Sequence, residues 1–271
     1  MLTIEQYIEG KYQTRVLCED GIFVGENIAA VVDGVTSDNG ILFENKSSGA
    51  FAKDTIIEAL QSNNNLYSYS AEDAFVYLSD YLSHRVFESI RMDECDFGIL
   101  PRASVIIYNS NCNQVWGYGD CQCIVDGVLY KHDKRIDVIN SEIRAEQISA
   151  AINNGASLEE LSKIDIGRAA ISDRIKEQIK FENEPGEYGY PVINGKVVCR
   201  EMISIIPVES NLPVVLASDG YPYLCDTLAE SEERLAAMLL DDPLCYRLYK
   251  STKGKMQGMV SYDDRAYWKG K

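Results

Sequence analysis

The chain has 271 residues, 46% of them hydrophobic and 25% charged, which is the composition of a globular protein and not of a disordered or fibrous one. Its 42 acidic residues outnumber 26 basic ones, leaving a formal charge of −16. No Lys/Arg-rich block interrupts that excess, so a nucleic-acid partner bound through phosphate neutralisation is not expected.

The start, Met1 to Lys11, carries Glu5 and Glu9 where a secretory leader has a basic end and an apolar stretch. No apolar run approaches the roughly 18–20 residues of a bilayer span. A cytoplasmic protein without a membrane partner is the expectation. Glycine separates two short apolar stretches, Gly21–Val24 and Asn27–Val32, and Asp33-Gly34 follows, which predicts a strand pair ending in a tight turn. Helical spacing runs over Ser48–Leu60, and again from Ser70 through Phe75, Leu78, Leu82, Val86 and Ile90. Ser70, with Asp73 three residues on, supplies the second helix with an N-terminal cap.

Ala103–Asn109 and Gln114–Tyr118 are rich in β-formers, and Asp126-Gly127 between Cys121–Val125 and Val128–Tyr130 predicts a two-residue hairpin. Helical periodicity returns from about Asn140 to Lys180, broken at Asn153-Asn154-Gly155, and Phe181–Tyr190 reads as a loop. Beyond it come a hairpin beginning at Asn194-Gly195, strands over Lys196–Pro207 and Leu212–Ala217, a helix over Ser231–Leu240 and a last strand over Arg265–Trp268. Strands and helices do not alternate as in βαβ units. The expected class is therefore α+β with mostly antiparallel sheets, forming one domain over 1–271 with a variable helical subregion at about 133–190.

Eight cysteines are scattered along the chain and are expected to be buried thiols. Cys121 and Cys123 fall on one face of a strand but lack the second pair that a structural zinc site needs. His84 and His132 are the only histidines, and neither has the surroundings of a catalytic triad. Gly117-Tyr118-Gly119 lacks the third glycine, and the helix after it, of a dinucleotide-binding turn.

Acidic residues recur in one setting, beside a glycine or a second acid at the end of an apolar stretch: Glu19-Asp20, Asp33-Gly34, Gly119-Asp120, Asp219-Gly220 and Asp263-Asp264. Any one Asp-Gly is an ordinary turn by composition. If several strand ends converge, however, two carboxylates about 4 Å apart repel by about 4 kcal/mol at an effective dielectric near 20, and the cluster requires cations. Oxygen ligands favour Mg²⁺ or Mn²⁺, and a pair of such ions can activate a water toward phosphorus.

In this order and over nearly the whole chain, from Arg15 to Trp268, these motifs resemble the metal-dependent serine/threonine protein phosphatases of type 2C: RVLCED, VVDG, WGYGDC, LASDG and SYDDRAYW. The resemblance implies a four-layer αββα sandwich and hydrolysis of phosphoserine or phosphothreonine in proteins by a hydroxide bound to two Mg²⁺ or Mn²⁺ ions. It implies that Asp33 bridges the ions, with Asp219 and Asp263 on one side and Glu19 and the Gly34 carbonyl on the other. Asp20 would support the water shell, Asp120 a weaker third metal site, and Arg15 would hold the phosphate through a bidentate fork. Val35-Thr36-Ser37 stands where relatives carry His or Met and then glycines, so a histidine general acid there is absent. Two other readings remain open: a phosphatase-like scaffold that has lost turnover, and a phosphohydrolase for small molecules.

Overall fold

The protein, seen in a computed structural model that describes residues 1–12, 17–36, 41–89, 100–209 and 211–271, pairs its strands into two five-stranded sheets. Side by side in one sheet lie β1 (Thr3–Glu9), β10 (Arg265–Gly270), β9 (Val214–Ala217), β6 (Gln122–Val125) and β7 (Val128–Tyr130). The other runs β2 (Asp20–Val24), β3 (Ile28–Gly34), β4 (Ala103–Asn109), β5 (Gln114–Tyr118) and β8 (Ser204–Pro207). All neighbouring strands are antiparallel.

The period of two along a strand sets the layers. Ala29, Val31, Ile106 and Tyr108 point between the sheets, where they join Leu216, Ala266 and Trp268. Their neighbours Ala30, Val32, Val105 and Ile107 point the other way, onto α1 (Ser48–Ser62) and α2 (Ala71–Ser89). Apolar demand on both faces is why β3 and β4 read as unbroken apolar runs. On the far side, Val215, Ala217 and Tyr267 pack against Leu235, Met238 and Leu239 of α6 (Leu228–Asp241). The result is helix, sheet, sheet, helix, the expected four layers.

Local signals account for several boundaries. The Asp73 amide donates to Ser70 Oγ at 3.1 Å and fixes the start of α2, whereas Ile90 lies outside the described residues. Asp126 (φ 53°) and Gly127 (φ 77°) form the left-handed turn of the β6–β7 hairpin. Cys121 and Cys123 both face the space between the sheets, and every cysteine described is a free thiol.

Two expectations need correction. Lys196–Pro207 is not one strand: only Ser204–Pro207 pairs, because β5 offers just Gln114–Gly117 as partners, and Arg200–Met202 forms a 3-10 turn before it. Asn194-Gly195 does turn, with the Lys196 amide on Asn194 Oδ1 at 3.1 Å, but it joins no strand pair. β1 is the second surprise; Met1–Lys11 predicted no element, yet Thr3–Glu9 forms an edge strand against β10.

The region between β7 and β8 holds α3 (Arg135–Asn153), α4 (Leu158–Lys163) and α5 (Ile166–Glu177). Arg144 of α3, fully buried, pins this unit to the body of the fold. Its Nη2 donates to Asp165 Oδ2 at 2.8 Å, and its Nη1 donates to the carbonyls of Leu244, Cys245 and Ser251 at 2.8, 3.2 and 3.1 Å. Removing the guanidinium strands the Asp165 carboxylate and three carbonyls. Arg144→Met is accordingly expected to cost about 3–5 kcal/mol of stability, read as a lowered midpoint in urea unfolding.

Candidate active site

Antiparallel pairing brings the acidic motifs to one end of the sandwich. Asp20 opens β2 directly opposite Asp33 near the end of β3, and Asp33 is in turn opposite Ser104 of β4. Asp219 follows β9, while Asp263 and Asp264 precede β10, its antiparallel neighbour. Asp120 sits where the chain crosses from β5 in one sheet to β6 in the other.

Two glycines permit this closeness. A Cβ on Gly34 would lie 2.2 Å from the Gly49 carbonyl oxygen, so only glycine lets the start of α1 approach the end of β3. Gly119 (φ 127°) takes a conformation that side chains avoid, and a Cβ there would meet Ser104 Oγ at 2.1 Å.

The electrostatics divide the cluster into two parts. On the Glu19 side the carboxylates are matched. Glu19 Oε1 accepts from Ser47 Oγ at 2.7 Å, and its Oε2 accepts from Thr36 Oγ1. Lys11 Nζ lies 3.5 Å from Glu19 Oε2, 3.3 Å from Asp264 Oδ2 and 4.0 Å from Asp263 Oδ1. Burial works against the Lys11 ammonium, but Asp263, Asp264 and Glu19 outweigh it and hold its pKa above the ordinary lysine range. Lys253 pairs with Asp263, and Lys134 Nζ stands 2.6 Å from Asp120 Oδ2. Burial pushes the Asp120 carboxyl up, yet Lys134 prevails and lowers it.

Asp20, Asp33 and Asp219 form the unmatched part. Burial, and then the charges of Asp20 and Asp219, hold the Asp33 carboxyl well above the usual carboxylate range. Burial likewise raises Asp20 against an opposing hydrogen bond from Ser218, with Asp264 and Asp263 adding to the rise. Burial with Asp120 and Asp263 pushes Asp219 up to about 7. Asp20 Oδ2 is buried without a hydrogen-bond partner. Uncompensated carboxylates and an orphaned buried oxygen are the donor set of a hard divalent cation, so this part of the site fits Mg²⁺ or Mn²⁺. Among the described residues, no three acidic, histidine or cysteine side chains already stand as a closed ligand set around one point.

Asp33, Asp120 and Asp219 line a cleft of about 730 Å³ together with Gly34, Thr36 and Tyr262. One wall comes from the helical region, through Lys134, Asp137 and Arg168, and another from the segment that carries Lys253. Of the two histidines, His132 reaches the cleft, and His84 is exposed on α2. Glu19, Asp20, Asp33, Gly34, Asp120, Asp219 and Asp263 thus meet in one region. Arg15 lies outside the described residues. Sequence reading missed Lys11, Lys134 and Lys253, since an isolated lysine has no motif; the one available hint was that so many converging acids need counter-charges.

Neither a family model nor a curated protein sequence matches this chain. Solved structures do. The serine/threonine phosphatase Stp1 from Staphylococcus aureus superposes with a TM-score of 0.50 at 12% identity, covering 99% of this chain and 94% of that one. The catalytic domain of the serine/threonine protein phosphatase PstP, in complex with two manganese ions, matches with a TM-score of 0.48 at 14% identity over 98% and 96%. A serine/threonine phosphatase from S. agalactiae gives 0.48 at 13% identity over 97% and 96%. The likeness to Stp1 spans both chains nearly end to end, so the fold is that of a bacterial type 2C-like phosphatase, as the order of the motifs implies.

Proposed function

We propose that this protein is a cytoplasmic, divalent-metal-dependent phosphatase that hydrolyses phosphoserine or phosphothreonine in proteins. The observation that carries the reading is the unmatched trio of Asp20, Asp33 and Asp219, of which Asp33 and Asp219 face a cleft whose walls carry lysines and arginines while Asp20 lies buried opposite Asp33. A divalent cation bound there supplies Lewis-acid polarisation of the phosphoryl group and makes water nucleophilic near neutral pH. Asp33 and Asp219 would hold the cation, and Asp20, whose buried Oδ2 has no hydrogen-bond partner, would orient water beside it. Lys134 keeps the Asp120 carboxylate charged and fixed at the cleft wall. Arg15 holds the phosphate of the substrate, the role that its place in the motif order suggests. No described helix is long and apolar enough to cross a membrane.

Hydrolysis of an aryl phosphate and of a phosphothreonine peptide tests the reading. Both reactions are expected to require Mn²⁺, to stop on chelation, and to fall at least about 100-fold in Asp219→Ala. Activity that persists with chelator overturns the metal-dependent mechanism. Turnover of the aryl ester alone leaves protein substrates unproven, and turnover of neither substrate favours a scaffold that has lost turnover.

A further inference from the structure

The three hydrogens of the Lys11 ammonium have three acceptors: Thr36 Oγ1 at 3.1 Å, Asp264 Oδ2 at 3.3 Å and Glu19 Oε2 at 3.5 Å. The residue is also fixed at its backbone, where its amide donates to Asp264 Oδ1 at 2.7 Å and its carbonyl accepts from the Val260 amide at 2.8 Å. Lys11 is therefore part of the frame and not a surface chain that has folded inward; its side chain is 11% exposed.

Glu19 is the carboxylate that the resemblance to type 2C phosphatases assigns to the second metal position. Here both of its oxygens already accept hydrogen bonds, and a fixed positive charge stands beside them. A divalent ion entering at Glu19 would meet that ammonium at close range, with like-charge repulsion and few free lone pairs to repay dehydration. The opposite holds a few residues away. Asp33 and Asp219 make no ion pair with any described residue, and the buried Asp20 Oδ2 has no donor.

We propose that Lys11 is a built-in replacement for one of the two cations, so that the centre takes a single divalent ion, at Asp33 and Asp219 beside Asp20. This rests on the metal-dependent reading above and refines it. Lys11 supplies one positive charge permanently and independently of metal supply. Water activation would then fall to a single ion held by Asp33 and Asp219.

Calorimetric titration of the metal-free full chain with Mn²⁺, paired with electron paramagnetic resonance of the loaded protein, tests this. Wild type is expected to bind one equivalent and to give the six-line spectrum of an isolated Mn²⁺ ion. Lys11→Met is expected to bind two equivalents and to show the broadened spectrum of a coupled pair. Lys11→Gln, which keeps the length and loses the charge, serves in its place if the first variant does not fold. Two equivalents or a coupled spectrum in wild type overturn the replacement while leaving the metal-dependent reading intact. One equivalent in both wild type and variant also overturns it, and no binding at all removes both.

Discussion

Asp33→Asn is expected to abolish phosphate-ester hydrolysis, by at least about 1000-fold in kcat/KM, while making the metal-free protein more stable instead of less. Both effects have one cause. Asp33 lies opposite Asp20 and close to Asp219 and Asp120, and burial together with those charges disfavours its ionised form. An amide keeps the shape and removes the repulsion, at the expense of the oxygen charge that would hold a cation. Thermal melts in chelator and initial rates with Mn²⁺ measure the two halves separately. A variant that is inactive and also less stable would show that Asp33 supports the fold, and the assignment to the site would fail.

The second large effect is the way stability depends on pH and on metal. The carboxyls of Asp20, Asp33 and Asp219 all titrate above their unfolded values, Asp219 at about 7. A carboxyl of this kind binds more protons in the folded chain than in the unfolded one between the two pKa values. Folding stability therefore falls as pH rises from the ordinary carboxylate range, near about 4, through about 7. The metal-free protein should melt higher at pH 5 than at pH 8, by on the order of 5 °C. Saturating Mn²⁺ should reverse that order, because the ion competes with protons for the same oxygens and binds better as pH rises. Melting curves at both pH values, with chelator and with Mn²⁺, check the crossing. A metal-free protein that gains stability toward pH 8 would contradict the unmatched trio.

The parts of this molecule that announce themselves in sequence are those in which neighbours along the chain do the work. The Asp126-Gly127 turn, the Ser70 cap and the apolar periodicity of α1 and α2 depend on residues a few positions apart, and each is where local chemistry puts it. β1 escaped because an edge strand is buried on neither face cleanly: Thr3–Glu9 mixes three charged or amide residues with apolar ones, and only β10, some 260 residues on by chain numbering, selects its conformation. Val197 misleads in the opposite sense, since a β-branched residue predicts a strand and here stands 87% exposed in a segment that pairs with no described strand. The carboxylates of the site were legible because each marks a strand end. Their matching was not, because Lys11, Lys134 and Lys253 reach the cluster only through the tertiary fold.

The cluster also has a division of labour in its scaffolding. Its acids are attached to the ends of sheet strands, whereas its lysines ride on connectors: Lys11 just past β1, Lys134 at the entrance to α3, and Lys253 on the stretch that Arg144 fastens down. Loops tolerate substitution where close-packed strands do not. The positive half of the charge balance in this pocket can accordingly be changed by replacing one connector residue, without touching a strand that carries an acid.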